Sequence, residues 1–98
     1  MIKITHRKSG NEHTLKVFDH ASRHATDVCI SVSALVTHLA LNLPDESFAS
    51  LESGDTLISW YGCDWLWNPV DKTLKKLCEA FPSEISYETG VQEKEESN

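Results

Sequence analysis

Asp27-Val28-Cys29-Ile30-Ser31-Val32-Ser33-Ala34-Leu35-Val36-Thr37-His38-Leu39-Ala40-Leu41-Asn42-Leu43 is the stretch that decides the fold, because its first half satisfies two periods at once. Val28, Ile30, Val32 and Ala34 alternate with Cys29, Ser31, Ser33 and Leu35, as in a strand. Val28, Val32, Leu35, Val36, Leu39 and Leu43 also recur at helical spacing. The run covers about four helical turns, too long for a typical strand, so it reads as a helix. Asp27 is then its N-cap, a short side-chain acceptor just before the periodic residues, and Pro44 stands beyond its end.

Upstream, Ile2 to His6 alternates, Ser9-Gly10-Asn11 is a turn cluster, and Thr14 to Phe18 alternates again, which predicts a hairpin. Asp19 to Thr26 is a polar connector. Downstream, Ser47 to Leu51 is a short strand, and Glu52-Ser53-Gly54-Asp55 turns into Thr56–Tyr61, a second hairpin. Asn68-Pro69-Val70-Asp71 predicts a helix start, with Asn as cap and Pro at the first helical position. Val70, Leu74, Leu77, Cys78 and Phe81 form its apolar stripe, and Pro82 ends it. Ile85, Tyr87 and Val91 are a candidate C-terminal edge strand. The order β-β-α-β-β-α, with that strand as a possible closure, defines an α+β class in which two helices pack on one mostly antiparallel sheet. Residues 1–91 are read as one domain and residues 92–98 as a polar, frayed tail.

The chain has 98 residues and a formal charge of -6, the wrong sign for a protein that binds nucleic acid through its phosphates. Residues 1–24 carry five cations against two anions, and residues 25–98 four against thirteen, so the acidic part suits a basic partner or simply a solvated surface. Three cysteines without a CxxC pair disfavour a disulfide framework and point to a reducing cytoplasm. No N-terminal apolar segment of the secretory kind exists, and the most apolar stretch, Ala34 to Leu43, is interrupted by Thr37, His38 and Asn42. Neither export nor a membrane partner is expected.

Chemistry concentrates around Cys29. His20 leaves the second strand and Cys29 sits in the first turn of the first helix, with a connector long enough to fold back between them. Unpaired N–H groups and the helix dipole favour a thiolate at such a position, and an imidazolium nearby does so further. The N–H groups of Cys29 and Ile30 are candidates for stabilising an oxyanion. The bland alternative is a small buried hydrophobe among Val and Ile. His24 is a second candidate base, read first as an exposed loop residue. His20, His24, Cys29 and Asp27 fit no strong zinc pattern, so neither metal nor cofactor is expected. His6, His13 and His38 are read as surface or interface residues. Trp60, Tyr61, Trp65 and Trp67 either line a substrate groove or serve core and dimer interface, the latter use favoured because a domain this small needs the burial.

His20-Ala21, a short polar loop, and Val28-Cys29 followed by Val32-Ser33-Ala34-Leu35 opening a helix together resemble the ribosomal-processing cysteine protease family, the Prp or YsxB-like proteins. The resemblance is concentrated in residues 17–35 and extends in outline to the order of elements. It implies a homodimeric, cytoplasmic cysteine endopeptidase with a Cys–His dyad. Its protein substrate would be the N-terminal extension of a large-subunit ribosomal protein, or a capsid or scaffold protein for phage-borne relatives. By the same resemblance Cys29 is the nucleophile, His20 its base and acid, and Ser33 a supporting residue. Asp19 stands where the family carries Gly and is a candidate to orient the imidazole; Asp27 lies two residues before the Cys, where the family has its Asp three before. The connector is shorter than the family's and lacks its glycine. The rival class is a catalytically inactive protein-interaction module of the same fold.

Overall fold

The computed structural model describes residues 1–19, 26–52 and 54–91. Strands β1 (Ile2–Ser9) and β2 (Glu12–Phe18) form a hairpin, followed by helix α1 (Thr26–Asn42). Then come β3 (Phe48–Glu52), β4 (Asp55–Tyr61), α2 (Asp64–Ala80) and β5 (Ile85–Val91). They build a five-stranded sheet in the order β3-β4-β2-β1-β5, antiparallel except where β5 runs parallel to β1. This is the expected α+β architecture, with the C-terminal strand present. The pairing makes β2-α1-β3 and β4-α2-β5 two crossovers between parallel strands, the hairpin-plus-helix outline used twice.

The β1–β2 turn is two residues long, Ser9 facing Glu12, with Gly10 at φ 61. A positive φ at the first central residue is what a type II′ hairpin requires and what glycine adopts without strain. Along β1, Ile2, Ile4 and His6 are buried while Lys3 and Arg7 lie on the open face. In the same phase, Leu15, Ile58, Trp60 and Ile85 face the helices. Val28, Val32, Val36 and Leu39 of α1 meet them in one core with Trp67, Val70 and Leu74 of α2. The helical period of the first helix therefore prevails over its strand-like alternation.

Three expectations are corrected. First, α1 starts at Thr26, so Asp27 lies within its first turn instead of capping it; there its carboxylate accepts the Val28 N–H at 3.1 Å and favours the positive end of the helix dipole. Second, α2 starts at Asp64, and the Asn68-Pro69 pair lies inside it. The earlier start is supported by burial of Trp67, 4% exposed, and by bonds from Lys8 and His13 to the Asp64 carboxylate. These outweigh the one helical hydrogen bond that Pro69 cannot donate. Third, His6 and His13 are core residues, 4% and 1% exposed, not surface ones.

Leu39 is fully buried where α1 meets the rest of the core. Leu39→Ala is expected to lower the unfolding free energy by about 2–5 kcal/mol in a urea titration, through lost transfer energy plus a cavity.

Candidate functional site

Cys29 occupies the first turn of α1, one residue after the buried Val28. Burial of Val28 fixes the rotation of the helix and brings the half-buried Cys29 to the rim of the sheet. There it borders a cleft of about 190 Å³ at the end where β1 begins and β2 finishes. Ile2, Val17 and Val32 form its apolar wall. Ser33, one helical turn after Cys29, shares that cleft, and Glu52 and Asp55 of the β3–β4 hairpin close its far side. A second, shallower depression on the other flank of α1 also touches Cys29 and Ser33 and continues over Ile30, Ala34, Thr37, His38 and Leu41. The thiol thus stands on the ridge between two open surfaces. No disulfide joins Cys29, Cys63 or Cys78.

Asp19 is at φ 72, in the left-handed region that glycine adopts freely and Asp tolerates better than most residues. Its N–H bonds the Gly54 carbonyl at 3.1 Å, which ties the exit of β2 to the β3–β4 turn, and its carboxylate lies 3.7 Å from Lys3 Nζ. The position the family resemblance marks as Gly therefore keeps a glycine-like backbone here. Asp19, Glu52 and Asp55, the charged residues among the described ones lining the cleft, give it a negative rim. Since α1 is helical from Thr26, the Ile30 N–H falls inside the helical ladder and is not free to serve an oxyanion, contrary to expectation.

His20 and His24, the two candidate bases, lie outside the described residues. Ser33 and Asp19 line Cys29's cleft; Asp27 does not, and is exposed in the first turn of α1 with its carboxylate engaged by the Val28 N–H. The tryptophans do not form a groove with them. Trp60 and Trp67 are 1% and 4% exposed, inside the core, which is the use that a small domain's need for burial favoured; Trp65 is 74% exposed at the start of α2, near the other end of β1. Among the described residues no cluster of three or more His, Cys, Asp or Glu side chains has metal-binding geometry, and no helix is long and apolar enough to cross a membrane.

The polar groups missed by the sequence reading lie at that other end. His6 and His13 are hydrogen-bonded to each other and to Asp64 and Thr89. Nearby, Tyr87 donates to Asp71, and burial together with that carboxylate raises the Tyr87 phenol well above its ordinary value. The signal was present in the strand phase: His6 follows Ile2 and Ile4 at intervals of two, and His13 precedes Leu15 and Val17 likewise.

The five-stranded sheet with its two crossover helices is a Prp-like fold. The solved structures it matches include the essential ribosomal processing protease Prp from S. aureus. With a substrate peptide bound, that protease is 13% identical, with a TM-score of 0.73, 92% of this chain and 100% of that one being covered. With a covalently linked product peptide it is 15% identical at a TM-score of 0.71, with the same coverage. SMU.848 from Streptococcus mutans is 17% identical at a TM-score of 0.70, over 94% of this chain and 96% of that one. No protein-family model and no curated protein matches the sequence.

The left-handed backbone at residue 19 is testable without reference to function. Asp19→Gly is expected to leave stability unchanged or raise it by up to about 1 kcal/mol, because the exposed Lys3 pair it removes contributes little. Asp19→Val, β-branched at a positive φ, is expected to cost more than about 1 kcal/mol in the same denaturation assay.

Proposed function

We propose that this chain is a cysteine endopeptidase in which Cys29 and His20 act as a dyad. The observation that carries the reading is the position of Cys29, at the start of α1 and open to a cleft, in a fold shared with a protease solved with its substrate peptide. The Cys29 thiolate attacks the scissile carbonyl carbon and forms the S–C bond. His20 passes its proton to the leaving amine as the C–N bond breaks, and water deprotonated by His20 then hydrolyses the thioester and restores the thiol. Ser33, Asp27 and Asp19 are the supporting residues. The substrate is a protein segment: the N-terminal extension of a large-subunit ribosomal protein, or a capsid or scaffold protein processed by a phage-borne enzyme. The negative rim formed by Asp19, Glu52 and Asp55 suits a basic segment in either case. A reducing cytoplasm, where Cys29 stays a thiol, is the compartment this chemistry needs.

The enzyme is proposed to be a homodimer paired through α1. Ile30, Ala34, Thr37 and Leu41 form an exposed stripe at intervals of four, three and four residues, and Ile30 and Leu41 are 62% and 76% exposed. Set antiparallel about a two-fold axis, the stripe is self-complementary: Ile30 meets Leu41 of the other copy, and the small Ala34 meets Thr37. It carries no Asp, Glu, Lys or Arg between Ile30 and Leu41, so two copies approach without like-charge repulsion.

Cys29→Ala is expected to lower cleavage of a basic N-terminal ribosomal-protein peptide by at least about a thousand-fold with the fold intact, since the variant has no sulfur nucleophile. Processing that survives this substitution overturns the mechanism. With a thiol reagent near neutral pH, Cys29 should label faster than Cys63 and Cys78, and His20→Ala should slow it. Equal, slow labelling of all three thiols favours the non-catalytic interaction module instead. Leu41→Glu is expected to convert the dimer to a monomer in sedimentation velocity without loss of helicity, because it sets two carboxylates in an apolar contact.

A further inference from the structure

Beneath α2, a continuous hydrogen-bonded chain crosses the core at the end of the sheet remote from Cys29. His13 Nε2 lies 2.9 Å from Asp64 Oδ1, His6 Nε2 2.9 Å from His13 Nδ1, and Thr89 Oγ1 2.7 Å from His6 Nδ1. Four elements meet in it: β1, β2, β5 and the first residue of α2. Its middle is shielded from bulk solvent: His6 and His13 are buried, Trp60 stacks on His13 with ring centroids 4.8 Å apart and Trp67 on His6 at 4.2 Å.

The partners assign the protons. Asp64 accepts, so His13 donates from Nε2 and its Nδ1 accepts from the Nε2–H of His6; His6 Nδ1 then accepts from the Thr89 hydroxyl. Both rings are neutral in this arrangement and every bond is made. One added proton is also accommodated. His13 then carries hydrogen on both nitrogens, held between Asp64 and the Nε2 of His6, while His6 donates from Nδ1 to Thr89, whose hydroxyl turns to the Tyr87 oxygen beside it. A second proton has no such solution, because it sets two N–H groups against each other at 2.9 Å with no water between them.

We propose that the buried His6–His13 couple is an acid-triggered latch, which holds β1, β2, β5 and the start of α2 together while at least one ring is neutral and releases them when both are protonated. The charged and titratable groups around it are Lys8 on the same face of β1, Arg7 on the opposite, open face, Asp64 and Asp71 from α2, and Tyr87 from β5. Burial, then the charge of His13, lowers His6 from 6.5 to about 4; Asp71 opposes the shift, and Lys8 and Arg7 add to it. A histidine depressed in the folded chain binds its proton first in the unfolded chain. Stability is therefore intact above 6.5 and falls as the pH drops from there to about 4. Asp64, held below the usual carboxylate range by Lys8 and His13, adds a loss only at lower pH.

The test is urea unfolding followed by tryptophan fluorescence across that range. Between about pH 7 and about pH 4.5 the unfolding constant of the wild type is expected to rise up to roughly a hundred-fold more than that of His6→Gln, whose amide keeps a donor toward His13 without titrating. Equal pH dependence of the two proteins overturns the latch. Should His6→Gln fail to fold, ring NMR of the wild type decides. A His6 imidazole neutral down to about pH 4.5 supports the proposal, and one that titrates in the ordinary range near 6.5 overturns it.

Discussion

Burial of Val28 is the constraint on which the candidate site depends. With Val32, Val36 and Leu39 it forms the face of α1 that closes over Ile4, Leu15 and Ile58, and the helix has one rotation in which all four are covered. That rotation leaves the next residue, Cys29, half-covered at the rim, and brings Ser33 to the same cleft one turn later. The position of the Cys29 thiol is thereby set by packing, so it is held as firmly as the core beside it. The same rotation turns Ile30 and Leu41 outward, which couples the placement of the Cys29 thiol to the presence of an apolar stripe on the opposite flank.

Much of this frame was legible in the residues. The double periodicity of Val28 to Leu43 resolves to a helix because the run is too long for a strand and because one face of it finds a sheet to cover. The second helix shows where local signals lose. Asn68-Pro69 is a good local start, yet Trp67 gains more by burial under an earlier start than the chain loses at Pro69, and Asp64 finds His13 and Lys8 only if the helix reaches back to it. The histidines were misread for a related reason. Polar character suggests solvent, but the interval of two along β1 and β2 assigns His6 and His13 to the inner face, and only the tertiary arrangement supplies Asp64 and Thr89 as partners.

Asp19 and the two histidines show two ways in which a chain carries a locally unfavourable residue. At residue 19 the backbone takes a conformation suited to glycine, and the N–H bond to Gly54 holds it there at the mouth of the cleft. At His6 and His13 the unfavourable step is removal of polar rings from water, offset by a complete run of hydrogen bonds. One polar atom in that region is left over: the buried Trp60 Nε1 has no hydrogen-bond partner among the described residues. The indole is retained at that position by its stacking on His13 and by the volume it fills.

Strand β5 lies beside β1, so the two ends of the sheet-forming sequence are laid side by side, Ile2 opposite Ile85 and Lys8 opposite Val91. During synthesis the first hairpin leaves the ribosome long before its parallel neighbour exists. One whole flank of β1 then offers bare amides and carbonyls to any extended chain nearby. The last ladder to form spans more than eighty residues, so loop closure slows its completion. Biogenesis is therefore the stage at which this small protein is most exposed to wrong pairing, and arrival of the final strand is the event that ends the hazard.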